Sequence, residues 1–263
     1  MKIFYKDASI TLHNFIIALK QQGYLTDKYC FCGRLDPMAS GKMLFLENEE
    51  CSNMDQYLKC DKEYEIEIGL GISTDTDDIL GLIDEIDFET DQSFDSLHIL
   101  DNVLSKLITQ TTQKYHKFSA FQIKHGNKRV NLCELSKNNK LDEKDIPSKP
   151  CKVYSITKLN KKRVNLKYYI SIIKKKLEAL HDPANYYRKK EIIKKWDDFD
   201  KTISHNSELQ CISYKYKIHV SSGFYIRQLI ADLKKQCSFP LIVLSIHRTQ
   251  IYKDRRALVN IEY

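Results

Sequence analysis

The pattern of apolar residues in this sequence agrees with the α+β class, in which strands and helices share one core. Residues 64–70 and 212–220 alternate apolar and polar side chains, which is typical of half-buried strands. Residues 91–109 and 166–180 carry apolar side chains at the spacing of amphipathic helices. These patterns indicate strands and helices, but they do not select one arrangement of the sheet.

Length and composition predict a globular intracellular protein. The chain has 263 residues, of which 42% are apolar, and this is enough for a sizeable core. No apolar run reaches the roughly 18 residues of a membrane span, and the N-terminus lacks the pattern of a secretory signal. We therefore expect a cytoplasmic monomer that does not bind membranes, while an organellar or nuclear location stays open.

Eight cysteines are scattered singly through a chain too large to need disulfide bonds, so we expect reduced thiols. Cys30 and Cys32 are one residue apart, which is not the spacing of a zinc knuckle. The acidic cluster of Asp75, Asp77 and Asp78 lacks the glycine and glutamate positions of a calcium-binding EF-hand loop. We expect neither a metal ion nor an organic cofactor.

Basic residues are concentrated in one segment. Residues 158–201 contain 14 Lys or Arg and 6 Asp or Glu, a net charge of +8 in a chain whose total is +7. Such a segment suits a polyanion, because neutralising phosphates releases counterions. A lysine-rich face that is only solvated would have the same composition.

The segment 33–41 is the main candidate for chemistry, with the sequence Gly-Arg-Leu-Asp-Pro-Met-Ala-Ser-Gly. Pro37 fixes its own φ and pushes Asp36 out of the helical region. Gly33 and Gly41 allow backbone angles that other residues resist. The carboxylate is therefore held stiffly, although a bare Leu-Asp-Pro is usually an ordinary turn.

The whole segment 33–41 resembles the catalytic loop of the TruB family of RNA pseudouridine synthases. This resemblance implies that Asp36 is the nucleophile of an isomerase that converts a uridine in RNA to pseudouridine, most commonly in the T loop of tRNA. It also implies the pseudouridine synthase fold, a mixed and mostly antiparallel sheet flanked by helices, with the catalytic cleft across the sheet.

Two further segments resemble family blocks that surround the nucleophile. Lys62-Glu63-Tyr64 resembles Lys-x-Tyr, which implies that Tyr64 stacks on the target base; a core aromatic fits the strand pattern equally. Residues 74–81 resemble Thr-Asp-Thr-x-Asp-x-x-Gly, which implies that Asp78 pairs with the active-site arginine.

Residues 221–229 resemble the family block Ser-x-Gly-Thr-Tyr-Ile-Arg-x-Leu. The resemblance implies that Arg227 is the active-site arginine and that Tyr225 contacts the substrate beside it. An arginine next to a carboxylate lowers the pKa of the carboxylate and fixes its orientation. A purely structural salt bridge would look the same in sequence.

Other segments match the family less closely. Lys6 stands in an altered entry block, and Phe31 occupies a position where many members have a histidine. Residues 113–120 lack both prolines of their family block. The turn that contains Lys124 and Arg129 has an altered order, but its basic residues suit an RNA surface. We expect Lys6, Phe31, Lys124 and Arg129 to bind substrate, although an exposed turn at 124–129 fits as well.

We expect a single catalytic domain over residues 1–263, without the small PUA domain that often follows in the family. Residues 160–205 are interpreted as a basic helical insertion, with Asp182 and Pro183 starting its second helix. We expect the insertion to bind RNA in place of a PUA domain. The alternative function is a catalytically weak RNA-binding or RNA-folding protein on the same scaffold.

Overall fold

The computed structural model describes residues 1–88, 94–109, 111–203, 209–237 and 239–259, and for residues 94–97 it describes the backbone alone. The strands are β1 (Lys2–Lys6), β2 (Tyr29–Phe31), β3 (Ala39–Glu47), β4 (Asp61–Leu70), β5 (Ile72–Thr74), β6 (Ile83–Ile86), β7 (Thr112–Lys114), β8 (Gln122–His125), β9 (Lys128–Asn131), β10 (Ser148–Pro150), β11 (Val153–Asn165), β12 (Gln210–Val220), β13 (Leu241–Lys253) and β14 (Arg256–Ala257).

The helices are α1 (Leu12–Gln21), α2 (Met54–Leu58), α3 (Phe94–Lys106), α4 (Leu132–Lys137), α5 (Leu166–Ala179), α6 (Lys189–Thr202) and α7 (Ile226–Gln236). Within the described ranges, no helix is long and apolar enough to cross a membrane. For the predicted helix over 91–109, residues 91–93 lie outside the described residues, and the observed helix α3 ends at Lys106.

One large sheet organises the protein. Its strand order is β1-β3-β13-β4-β12-β11, with β2 paired to β3 and β14 paired to β13. The β13–β3 pair is parallel, whereas the other pairs of this sheet are antiparallel. This mixed, mostly antiparallel sheet with its flanking helices confirms the predicted fold class.

The central strands follow their predicted alternation. In β4, buried and half-buried residues alternate from Asp61 to Ile68, and β12 pairs with it so that Tyr64 lies opposite Ile218. Helices α1, α3 and α7 supply buried residues to the main core cluster with this sheet. Thr11 caps α1, because its side-chain oxygen accepts a hydrogen bond from the Asn14 backbone N–H at 3.1 Å.

Helices α5 and α6 form a hairpin of helices between β11 and β12. Their buried residues make a second core cluster with Met38 of the segment 33–41 and with Leu80. The helical periodicity predicted for residues 166–180 is observed, with Ile170, Ile173 and Leu177 buried.

The predicted starts of the insertion and of its second helix were both wrong. Residues 160–165 belong to β11, because their backbone continues the antiparallel ladder with β12. Helix α6 begins at Lys189, since Asn185 and Arg188 have positive φ angles of 52° and 59° that interrupt a helix. Residues 204 and 205 of the predicted insertion lie outside the described residues.

Candidate active site

The loop that carries Asp36 connects β2 to β3. Gly41 has a φ of +115°, and a Cβ atom there would lie 2.3 Å from the backbone oxygen of Arg248. Only glycine fits such a close approach between two strands. The Ala39 backbone N–H donates to the Asp36 carbonyl at 3.0 Å, which closes a tight turn around Pro37. The Asp36 side chain remains 38% exposed.

Lys6 of β1 lies beneath this loop with no exposed surface. Its Nζ donates to the backbone oxygens of Ala39 at 2.7 Å, of Asp36 at 3.2 Å and of Pro37 at 3.2 Å. Burial lowers the pKa of Lys6 to about 8, although the Asp36 carboxylate opposes this effect. The expected substrate contact of Lys6 is therefore corrected to support of the loop backbone, because the ammonium group is enclosed.

A second buried cation, Arg248 of β13, holds the same loop from the other side. Its Nε donates to the Lys42 carbonyl at 2.6 Å and its Nη2 to the Gly33 carbonyl at 3.2 Å. Only 1% of Arg248 is exposed. Sequence reasoning did not assign Arg248 to the site, because the parallel pairing of β13 with β3 brings it there.

Arg227, in the first turn of α7, meets Asp36 across the cleft. Its Nε lies 2.7 Å from Asp36 Oδ2 and 3.7 Å from Asp78 Oδ2. Burial alone would raise the pKa of Asp36, but the charge and hydrogen bond of Arg227 outweigh it and lower that pKa. Asp36 is therefore an oriented carboxylate at neutral pH.

Asp78 is held from the opposite side by its own turn. Its Oδ1 accepts hydrogen bonds from the Thr76 hydroxyl at 2.8 Å and from the Leu80 backbone N–H at 3.0 Å. Burial raises the pKa of Asp78 to about 6, because the favourable charge of Arg227 is partly offset by the charge of Asp36. The two carboxyl groups thus share one arginine but have pKa values shifted in opposite directions.

His116, which sequence reasoning missed, contacts the back of Arg227. Its Nδ1 accepts the Phe118 backbone N–H at 3.2 Å and lies 3.3 Å from Arg227 Nη1. Because Nδ1 is an acceptor, Nε2 carries the proton and donates to Asp77 Oδ2 at 3.0 Å. Burial lowers the pKa of His116 to about 4, so the ring is neutral and can accept from the guanidinium. No sequence pattern signalled this residue.

A cavity of about 570 Å³ opens above Asp36. Phe31, Asp78 and Arg227 line it together with Phe118. The structure therefore brings several expected site residues to one cavity.

Other expected residues lie elsewhere. Tyr64 is 7% exposed and belongs to the main core cluster, and it is not among the side chains that line the cavity. Tyr225 precedes α7, with Lys149 Nζ 3.6 Å from its ring centre. Lys124 and Arg129 face each other in the exposed β8–β9 hairpin and also do not line the cavity.

Among the residues that the structure describes, no three His, Cys, Asp or Glu side chains are arranged to hold a metal ion.

A sequence model described as the N-terminal domain of TruB family pseudouridylate synthases matches residues 21–176, more than half of the chain. This protein belongs to the TruB family. The matched range includes Asp36, Tyr64 and Asp78, whereas Arg227 lies beyond it. It also extends into α5, so the first part of the predicted insertion falls within the matched range.

Curated relatives agree with this assignment. The chain is 27% identical over 156 residues to tRNA pseudouridine synthase B of Staphylococcus saprophyticus, covering 59% of this chain and 48% of that protein. It is 27% identical to the Acholeplasma laidlawii protein of the same name, and the match covers 63% of this chain and 56% of that protein. It is 25% identical over 225 residues to tRNA pseudouridine synthase B of Mycoplasma mobile, and the match covers 85% of this chain and 64% of that protein. The chain thus spans about half to two thirds of these relatives.

Two solved structures also resemble this one. An H/ACA RNP bound to a substrate RNA containing 2′-deoxyuridine aligns with a TM-score of 0.46 at 14% identity, over 96% of this chain and 49% of that chain. A Cbf5-Nop10-Gar1 complex aligns with a TM-score of 0.47 at 13% identity, over 96% of this chain and 50% of that chain.

Proposed function

We propose that this protein is an RNA pseudouridine synthase that isomerises a uridine in the T loop of tRNA, with Asp36 as the nucleophile. The observation that carries the proposal is the contact between Asp36 and Arg227 at 2.7 Å on the wall of an open cavity. The names of the curated relatives support tRNA as the substrate.

The arrangement suits nucleophilic catalysis. A uridine inside folded RNA must first leave its stack, which costs a few kcal/mol that contacts in the pocket can offset. The Asp36 carboxylate then attacks either the base or the sugar carbon, and the glycosidic bond breaks. The detached base rotates and rejoins the sugar through a ring carbon, and the bond to Asp36 breaks. That carbon loses its proton and the freed ring nitrogen gains one, so that substrate and product are isomers. Arg227 keeps Asp36 ionised and oriented during the attack.

Of the remaining predicted site residues, Phe31 supports the same proposal by its position. Phe31 lines the cavity with Arg34, whose guanidinium carbon lies 5.8 Å from the Phe31 ring centre, so Phe31 presents a stacking surface to RNA. Tyr225, Lys124 and Arg129 would contact RNA outside the cavity. A stacking role for Tyr64 requires the target base to reach a side chain that is 7% exposed and does not line the cavity.

The decisive experiment compares the wild-type protein with Asp36→Asn on unmodified tRNA transcripts, with pseudouridine mapped by chemical labelling and primer extension. We expect the wild type to modify one uridine and Asp36→Asn to modify none, because an amide is not a nucleophile of this kind. Asp55→Asn, which changes an exposed carboxylate of α2, is the matched control and should retain full activity.

Two other outcomes would contradict the proposal. If Asp36→Asn is as active as the wild type, Asp36 is not the nucleophile. If neither protein forms pseudouridine in tRNA or in total cellular RNA, yet both bind RNA with similar affinity, the protein is the RNA-binding alternative.

A further inference from the structure

The connection between α5 and α6 forms part of the catalytic cavity. Tyr186, Tyr187 and Arg188 all line it, on the same cavity as Asp36. These residues lie outside the range 21–176 that the family model matches. The helical hairpin therefore adds a wall to the cavity as well as a second core cluster.

This wall is held in a fixed shape. The Asp182 carboxylate accepts the backbone N–H groups of Tyr186 at 2.8 Å and of Tyr187 at 2.9 Å. Lys189 Nζ donates to the Leu180 carbonyl at 2.7 Å, and Leu180 is fully buried. A surface that is ordered before binding loses less conformational entropy when a ligand binds.

Arg188 fastens the wall to the acidic turn beside the active site. Its Nη1 lies 2.7 Å from Asp75 Oδ2, and its guanidinium carbon lies 5.1 Å from the centre of the Phe118 ring. The buried Nε has no hydrogen-bond partner within the described part of the chain. Arg188 also has a left-handed backbone, a conformation that non-glycine residues adopt only where the surroundings enforce it.

Tyr186 presents an aromatic surface at this wall. It is 56% exposed, and its ring centre lies 4.9 Å from that of Tyr187 at an interplanar angle of 86°. Lys137 Nζ lies 3.8 Å from the Tyr186 ring centre, and the same ammonium donates to the Tyr186 carbonyl. One ring is thus braced by a cation while more than half of its side chain stays open to solvent.

Such a surface fits a nucleobase. Every base has a π-face that stacks on aromatic side chains, and neighbouring cations attract the RNA backbone. Lys137 supplies such a cation, whereas Arg188 is paired with Asp75, and the Asp36 carboxylate lies in the same cavity. Free anions would be attracted by the cations but would gain nothing from the exposed ring.

We propose that Tyr186 and Tyr187, braced by Lys137 and Arg188, form a stacking site for an unpaired nucleobase of the RNA substrate next to the uridine that reaches Asp36. The proposal rests on the proposed function for the identity of its ligand. It assigns to the α5–α6 connection a specific contact with an unpaired base, in addition to any general attraction between basic residues and phosphates.

The test measures the affinity for an end-labelled tRNA transcript by fluorescence anisotropy, with all variants made in the Asp36→Asn background so that no turnover occurs. Tyr186→Ala should raise Kd by roughly 5- to 100-fold, the effect of losing one stacked base. Tyr186→Phe keeps the ring and should bind like its parent.

Tyr168→Ala is the matched control, because Tyr168 lies in the same hairpin, is 61% exposed and does not line the cavity. Its Kd should stay within about twofold of the parent, as is usual for a surface substitution away from a contact. A second readout uses 2-aminopurine placed beside the uridine mapped in the activity assay. Stacking on Tyr186 should quench its fluorescence, and Tyr186→Ala should abolish that quenching.

The proposal is overturned if Tyr186→Ala binds RNA as tightly as Tyr168→Ala. It is also overturned if the parent does not bind the transcript. If the wild type forms no pseudouridine but Tyr186→Ala still weakens binding, the stacking site stands and the proposed enzymatic function fails. Melting curves from circular dichroism verify that each variant is folded.

Discussion

Asp36 and Asp78 illustrate how one arginine serves two carboxyl groups in different surroundings. Asp36 has a direct hydrogen bond to Arg227 at 2.7 Å, whereas Asp78 lies 3.7 Å from the same nitrogen and is only 5% exposed. The pKa of Asp36 is lowered and that of Asp78 is raised to about 6. The charge of Arg227 therefore acts mainly on Asp36.

The shifted pKa values of Asp78 and His116 have opposite effects on stability. Between its ordinary pKa of 3.8 and about 6, Asp78 binds more protons folded than unfolded, so its contribution falls as pH rises. Between about 4 and its ordinary 6.5, His116 binds fewer protons folded than unfolded, so its contribution grows as pH rises. In the wild type these two contributions oppose each other.

We predict that Asp78→Asn exposes the His116 contribution. The free energy of unfolding of this variant should rise by about 2 kcal/mol from pH 4.5 to 6.5, since each pKa unit corresponds to about 1.4 kcal/mol. The wild type should change much less over this range. Urea unfolding at a series of pH values measures both profiles, and Asp55→Asn on the surface is the control.

The same substitution should make the protein more stable than the wild type at pH 7, because it removes a buried charge next to Asp36. Its catalytic rate should nevertheless fall, since Arg227 loses one of its two carboxylate neighbours. Equal pH profiles for Asp78→Asn and wild type would contradict the raised pKa of Asp78. A flat profile for Asp78→Asn would contradict the lowered pKa of His116.

At the scale of elements, the α5–α6 hairpin is part of the core. Trp196 and Leu177 are fully buried, and their cluster includes Met38, two residues after Asp36, and Leu80, two residues after Asp78. Removing the hairpin would therefore expose apolar residues beneath the candidate active site. Point substitutions test its contribution better than a deletion.

Trp196→Ala should lower the free energy of unfolding by about 3–5 kcal/mol, because it leaves a large cavity in this second cluster. The midpoint of urea unfolding measures the loss. Lys195→Ala changes the exposed neighbour on α6 and should have an effect below about 0.5 kcal/mol. A loss below about 1 kcal/mol for Trp196→Ala would mean that the hairpin packs only loosely on the sheet.

At the scale of the whole molecule, the charge is unevenly distributed over the fold. The segment 158–201, with its net charge of +8, comprises the end of β11 and both helices of the hairpin. Part of this charge is compensated locally, for example by the contact of Lys174 with Asp197 at 2.5 Å. Lys190, Lys194 and Lys195 lie exposed on α6 and are available to phosphates.

Replacing Lys190, Lys194 and Lys195 together by Gln should weaken RNA binding and flatten its salt dependence. The slope of log Kd against log salt should decrease by roughly 0.7–0.9 for each phosphate that the variant no longer neutralises. Gln replacements at Lys59, Lys106 and Lys144, which are exposed on other elements, form the control with the same change of charge. Identical slopes for the two triple variants would show that α6 has no particular role in binding RNA.

Local patterns in the sequence determined those strands and helices whose apolar side chains recur with a clear period. Period-two alternation predicted β4 and β12, and helical spacing predicted α5. The segment 33–41 likewise identified a stiff aspartate loop, because glycine and proline act on the backbone at their own positions. The pattern near Asp182 failed to place α6, since the positive φ angles that delay the helix have no strong local signal.

Contacts between distant segments were decided only by the tertiary structure. Arg227 meets Asp36 across 191 positions, and Arg248 reaches Gly33 because β13 runs parallel to β3. The location of His116 behind Arg227 and of Tyr186 on the cavity wall depends on how whole elements pack. The sequence by itself determined which residues could act and how their own backbones bend. The order of strands in the sheet determined which of these residues meet, because that order depends on the free energy of the entire core.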